Sequence, residues 1–200
     1  MSKILCGDAL EILKTLPPCS VNMCVTSPPY YGLRDYGIDR QIGTEDSPAL
    51  YIEKLVDVFS EVYRILRKDG TLWINIADSY AGSGKGGWNT PLKSGISQQL
   101  YNPKSFNMPK KWKGIKAKDM IGIPWSLAFS LRDYGWYLRS DIIWQKSNCM
   151  PESVKDRPSK SYEHIFLLAK SKKYYYDYQS IQVPAAQSSI ERAKRAVSNI

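Results

Sequence analysis

The chain has a single histidine, His164, and only four cysteines, Cys6, Cys19, Cys24 and Cys149, none of them in a CxxC pair. Zinc sites take their ligands from closely spaced Cys and His, so no zinc site is expected and no metal is assigned. No stretch approaches 18 consecutive apolar residues, which excludes a membrane-spanning helix and a membrane partner. The opening MSKILCGDAL has neither a long apolar core nor a cleavage signal. Export is therefore not expected, the thiols should stay reduced, and the expected location is cytoplasmic. Acidic residues are missing altogether from residues 81–118, which hold eight lysines.

What is present suits one globular domain. The 200 residues are 43% apolar and 24% charged, which rules out a disordered, collagen-like or coiled-coil chain. The net charge of +9 is unevenly spread. Residues 1–80 sum to −3, residues 81–118 to +8, residues 119–150 to zero and residues 151–200 to +4. So one-sided a block points to a polyanionic partner or to a solvated loop.

Hydrophobic spacing gives the elements. Lys3–Leu5 is a short apolar entry, and Ala9–Leu16 has helical spacing that stops at Pro17-Pro18. Val21–Thr26 reads as a compact buried strand. Asp46 or Ser47 can cap a helix that starts at Pro48 and runs to about Arg67. Asp69-Gly70 is expected to turn, and Thr71–Ala77 to form a second strand. Strand, helix, strand is the grammar of parallel α/β architecture. Residues 79–118, rich in Gly, Ser and Lys, read as a long surface loop. Pro124–Leu131 is expected helical, Tyr137–Gln145 and Glu163–Ala169 are expected strands, and Ser188–Ile200 can form a basic helix.

Thr26-Ser27-Pro28-Pro29-Tyr30 is the most informative stretch. Ligands of open α/β sheets bind beyond the carboxyl ends of strands. There, a short hydroxyl side chain precedes two prolines and an aromatic ring. Prolines stiffen the turn and add carbonyl acceptors without N–H donors. Such a corner is either a rigid structural turn or a grip for a planar ligand with an exocyclic amine, which the carbonyls would bond and the ring would stack on.

Thr26–Tyr30 resembles the catalytic motif of amino-group DNA methyltransferases, and the SPPY form is most typical of those acting on N4 of cytosine. The resemblance covers nearly the whole chain. It includes Cys6–Leu10 with Leu16-Pro17, Gln41–Glu45, Asp69–Trp73, Asn75–Tyr80, Ile123–Trp125, Gly135–Arg139, Ile142–Lys146, Asp156–Pro158 and Tyr162–His164. It implies a Rossmann-like sheet, S-adenosylmethionine as cofactor and double-stranded DNA as partner. Ser27 and the Pro28 carbonyl would accept hydrogen bonds from the amine of a flipped-out base, Pro29 would complete the corner, and Tyr30 would stack on the base. Asp8, Thr26 and Ser27 are implied on the cofactor side, although Asp8 also suits a helix N-cap. The insertion at 81–118, with Lys85, Lys93, Lys104, Lys110, Lys111, Lys113, Lys116 and Lys118, would lie along phosphates, joined by Arg157. Trp88, Tyr101, Phe106 and Trp112 are interleaved with those lysines. The alternatives are an adenine-N6 enzyme, since that reaction also acts on an exocyclic amine, and a catalytically incomplete DNA-binding fragment that needs a second chain.

Gly82–Gly86 spells GxGxG but lacks a helix behind it to present its N-terminus, and Pro18-Cys19 precedes its strand rather than following it. In the resembling enzymes with this motif order, a glycine-rich cofactor loop follows the last strand seen here. None lies between Tyr178 and Ile200. The expectation is therefore a single catalytic domain over 1–200, incomplete on its C-terminal side. Its Val21–Thr26 strand should pair with Thr71–Ala77 and keep an open outer edge. The missing half would come from a longer chain, a complementing chain or self-association.

Overall fold

The computed structural model of the chain describes residues 2–33, 36–82, 114–149 and 151–197, with side chains at all of these except 193 and 195–197. Eight elements follow one another among the described residues. They are α1 (Ala9–Thr15), β1 (Val21–Thr26), α2 (Pro48–Ile65), β2 (Leu66–Ile76), α3 (Ile123–Tyr134), β3 (Tyr137–Gln145), β4 (Tyr162–Ala169) and α4 (Gln187–Val197).

Ser47 caps α2 by accepting a hydrogen bond from the Leu50 amide, and Pro48 opens the first turn where its missing N–H costs nothing. Tyr51, Leu55, Phe59, Val62 and Ile65 then recur on one face and are buried. The cap of α3 comes from elsewhere in the chain. Gly122 offers no side chain, and the Asp78 carboxylate beyond β2 accepts from the Gly122 and Ile123 amides at 2.9–3.0 Å. A carboxylate there also faces the positive end of the helix dipole.

The four strands form one sheet in the order β1-β2-β4-β3. β1 and β2 are parallel, whereas β4 is antiparallel to both β2 and β3. Leu72, Ile74 and Ile76 of β2, Phe166 and Leu168 of β4, and the apolar faces of α2 and α3 share one buried cluster. The opposite side of the sheet is defined by register: Met23 and Val25 of β1, Trp73 and Asn75 of β2, Ile165 and Glu163 of β4, Ile142 and Trp144 of β3.

Several expectations change. Asp69-Gly70 does not end one element and begin another; it lies inside β2 as an irregularity of its pairing with β1. The carbonyls of Gly70 and Asp69 accept from the Lys170 and Tyr175 amides, so the stretch remains hydrogen-bonded. A Cβ on Gly70 would stand 3.0 Å from the carbonyl oxygens of both Arg67 and Asn22. Gly70→Ala is expected to cost about 1–3 kcal/mol of stability, read as a lower denaturant midpoint at unchanged slope. No strand forms near Ile4-Leu5, where Ile4 is 95% exposed. Cys6 is exposed too. A strand there would need a neighbour with a free edge, and none reaches it among the described residues.

β1 pairs with β2 and stands at the sheet's edge, as the open-edge reading requires. It is less buried than its apolar sequence suggests: Met23 is 55% and Val25 68% exposed. α4 forms near its expected place, and its described side chains are exposed.

Candidate active site

β1 delivers Thr26 to the rim of the sheet, and the chain leaves through Ser27-Pro28-Pro29-Tyr30. Ser27 and Pro29 are exposed, Pro28 is buried and Tyr30 is half-buried. The corner is fastened from below. Buried Tyr51 of α2 donates its hydroxyl hydrogen to the Pro29 carbonyl at 2.8 Å. Among the described residues, no hydrogen bond falls on the Pro28 carbonyl. Of the two proline carbonyls, that of Pro29 is therefore engaged by the fold.

The Gln41–Glu45 block braces the same corner. The Gly32 amide donates to the Gly43 carbonyl at 2.8 Å, and the Tyr31 hydroxyl to the Glu45 carbonyl at 3.0 Å. Gly43 has φ +104°, and a Cβ there would come within 3.2 Å of the Tyr30 carbonyl oxygen. Glycine meets both demands at once. The buried Glu45 carboxylate accepts from the Gly43 amide at 2.9 Å and lies 3.0 Å from the Lys54 ammonium.

The Tyr30 hydroxyl reaches across the sheet. It lies 2.8 Å from Glu163 Oε2 and 3.0 Å from Asn75 Oδ1, and Ser27 Oγ approaches it at 3.4 Å. Burial, reinforced by Glu163 and only partly relieved by Ser27, pushes this phenol up to about 12. Tyr30 is thus a neutral hydrogen-bond donor at neutral pH. Burial pushes the Glu163 carboxyl up, but hydrogen bonds from Lys146, Tyr30 and Asn75 outweigh it and hold the group below the ordinary glutamate range. Lys146, at the end of β3, ion-pairs with Glu163 Oε1.

Ser27, Pro28, Pro29 and Tyr30 line a cleft of about 320 Å³ together with Leu33 and Tyr36. Chemically it offers an exposed hydroxyl and aromatic walls on a stiff backbone. A slot of this kind suits a flat ring carrying a polar edge.

A family model for DNA methylases of the N6/N4 type matches residues 21–199. The chain belongs to the DNA methylase family. It is 50% identical over 194 residues to the type II methyltransferase M.Cfr9I of Citrobacter freundii, covering 97% of this chain and 62% of the relative. It is 50% identical over 193 residues to M.SmaI of Serratia marcescens, covering 96% of this chain and 64% of the relative. The methylase chain thus spans less than two thirds of the length of these curated relatives. Two solved structures share its fold. One is the cytosine-N4-specific PvuII DNA methyltransferase, with TM-score 0.58 and 16% identity over 95% of this chain and 61% of that one. The other is a putative DNA modification methylase of Thermus thermophilus complexed with S-adenosyl-L-methionine, with TM-score 0.53 and 22% identity over 93% and 61%. The mixed sheet of the methylase is accordingly of the Rossmann-like methyltransferase type.

The remaining expected site residues are scattered in their fates. Asp8 caps α1, its Oδ1 accepting from the Glu11 amide at 3.1 Å. Thr26 ends β1 opposite Ile74, and neither Asp8 nor Thr26 lines the cleft. Lys85, Lys93, Lys104, Lys110, Lys111 and Lys113 lie outside the described residues, as do the interleaved Trp88, Tyr101, Phe106 and Trp112. Lys116 is exposed, whereas Lys118 pairs with Asp156 at 2.6 Å. Arg157 pairs with Glu152 at 2.6 Å and stacks 3.9 Å from the centre of the Tyr80 ring. The two ends of the insertion are held side by side. The Ala81 amide donates to the Asp119 carbonyl and the Lys118 amide to the Ala81 carbonyl, both at 2.9 Å.

Asn75, Lys146 and Glu163 were not expected in the site, although each lies in a stretch that carries the family resemblance. Their local signal is polarity near strand ends: Asn75 interrupts the apolar run of β2, Lys146 follows β3, and Glu163 stands at the start of β4. His164 lies on the other side of β4. Its Nδ1 lies 2.9 Å from Asp141 Oδ1, and its ring stacks on Phe166. No described helix is long and apolar enough to cross a membrane, and no described cluster of His, Cys, Asp and Glu could hold a metal.

Proposed function

We propose that this chain is the catalytic and DNA-contacting part of a DNA methyltransferase that methylates the N4 amino group of cytosine. The observation that carries the reading is the exposed Ser27 hydroxyl beside the Pro28 carbonyl, on a proline-stiffened corner next to a fixed aromatic ring. A base turned out of the duplex would enter the cleft, its face against Tyr30. Ser27 Oγ and the Pro28 carbonyl would accept from the amine, drawing its lone pair out of conjugation and toward the donor carbon. Positioning of this kind is worth several orders of magnitude in rate. Tyr51 and Gly43 hold the corner still while it happens.

S-adenosylmethionine supplies the methyl group as a sulfonium. The residues present fit the methyl end of that donor, through Ser27, better than its nucleoside end. Asp8 already commits its carboxylate to α1, and no described glycine loop faces the cleft. We therefore assign the nucleoside end to a complementing segment, on a longer chain or a second one. Supporting this are the outer edge of β1, which no strand pairs among the described residues, and the exposed Met23 and Val25 beside it. A strand added there would bury apolar surface and complete the sheet. Within this reading residues 1–200 act as one catalytic unit, 81–118 is its DNA-contacting insertion, and the setting is the cytoplasm, in keeping with four free cysteines.

Two measurements test the reading. Calorimetric titration of the 200-residue chain with S-adenosylmethionine is expected to show weak binding or none; tight stoichiometric binding to a monomer contradicts the split assignment. With the complementing segment added, mass analysis of nucleosides from treated DNA is expected to reveal N4-methylcytosine. N6-methyladenine would move the assignment to adenine, and no methylated base would leave a DNA-binding module.

A further inference from the structure

Glu163 stands out once the corner is described. It comes from β4, 133 residues away from Tyr30 in sequence, yet the two side chains meet at 2.8 Å. Its carboxylate is nearly buried, and such a charge is kept in place only when its oxygens are matched. Here they are: Lys146 takes Oε1, and the Tyr30 hydroxyl takes Oε2. Asn75 is held in turn, its Nδ2 donating to the His164 carbonyl at 3.3 Å, so that its Oδ1 faces Tyr30. Two strands of the sheet, β2 through Asn75 and β4 through Glu163, therefore meet at one phenol, and Lys146 just beyond β3 holds Glu163.

A half-exposed tyrosine at a surface corner would ordinarily sample several rotamers, and ordering it costs free energy. An aromatic wall is useful to a flat ligand only if it is fixed before the ligand arrives. We propose that Glu163 is a positioning residue of the base slot: paired to Lys146, it locks the Tyr30 ring through the phenol hydroxyl, so that the stacking wall stands ready and Ser27 keeps its hydroxyl alongside. The depressed acidity range of the carboxyl supports the same role, since an ionised acceptor holds a phenol more strongly than a neutral one.

This inference rests on the base-slot reading, and one experiment separates the two. A short single strand carrying one pyrrolocytosine is titrated with the chain, and quenching of the base by stacking is followed. Wild-type protein is expected to quench, and Tyr30→Ala to lose the quenching. Tyr30→Phe and Glu163→Ala are each expected to weaken the apparent affinity by roughly 10-fold, the value of one hydrogen bond to a charged group. The variant carrying both changes is expected to be no weaker than either alone, because both remove the same link. Glu163→Gln, which keeps an oxygen acceptor, should recover part of the loss; it also keeps the test open if Glu163→Ala unfolds. Multiplying losses in the double variant, or single variants that quench like wild type, overturn the lock while leaving the slot. Unchanged quenching by Tyr30→Ala overturns the slot itself.

Discussion

Ser27→Ala in the assembled methyltransferase is expected to lower kcat by about 10²–10³-fold with little change in KM. Ser27 is exposed, and among the described residues its hydroxyl bonds only to Tyr30, at 3.4 Å, so its removal leaves the fold intact. In the proposed reaction, what goes is an acceptor whose value rises as positive charge builds on the amine. Preorganised polar groups aimed at developing charge typically contribute that much. A loss confined to kcat is the signature of an interaction made in the transition state. Labelled methyl transfer under saturating DNA measures it, and undiminished turnover would remove Ser27 from the chemistry.

The second large effect concerns salt. Changing Lys110, Lys111, Lys113 and Lys116 together to glutamine is expected to flatten the dependence of DNA affinity on salt. Each lysine lying on a phosphate contributes about one unit to the slope of log affinity against log salt. A flattening of roughly three to four units is expected from binding isotherms across a salt series. Lys118→Gln alone should change the slope far less, because its ammonium is already paired with Asp156 at 2.6 Å. An unaltered slope in the quadruple variant would mean that the basic segment does not follow the backbone of the duplex.

The sequence is legible where neighbours in the chain decide the outcome. Ser47-Pro48 and the spacing of Tyr51, Leu55, Phe59 and Val62 settle α2, and β3 forms over the expected Tyr137–Gln145. The corner at Ser27–Tyr30 is visible for the same reason, since two prolines dictate local backbone without help. Distant partners are harder to see. Nothing near Glu163 announces Tyr30; the meeting depends on β4 running antiparallel beside β2, with Ile165 opposite Asn75. The Asp78 cap on α3 hides across 44 residues. Asp69-Gly70 misleads because the dipeptide that turns a hairpin also fits a crowded strand irregularity, where Gly70 is needed for want of room.

Ala81, Lys118 and Asp119 close the basic segment at its base with two backbone hydrogen bonds. Closing a span from a fixed base grows more costly only slowly with its length, by about 0.6 kcal/mol per doubling. Evolution can therefore lengthen, shorten or exchange this cassette wholesale while the chemical apparatus stays untouched. If that segment touches DNA as proposed, exchanging it would alter the contacts made with the duplex and leave the Ser27–Tyr30 corner as it is.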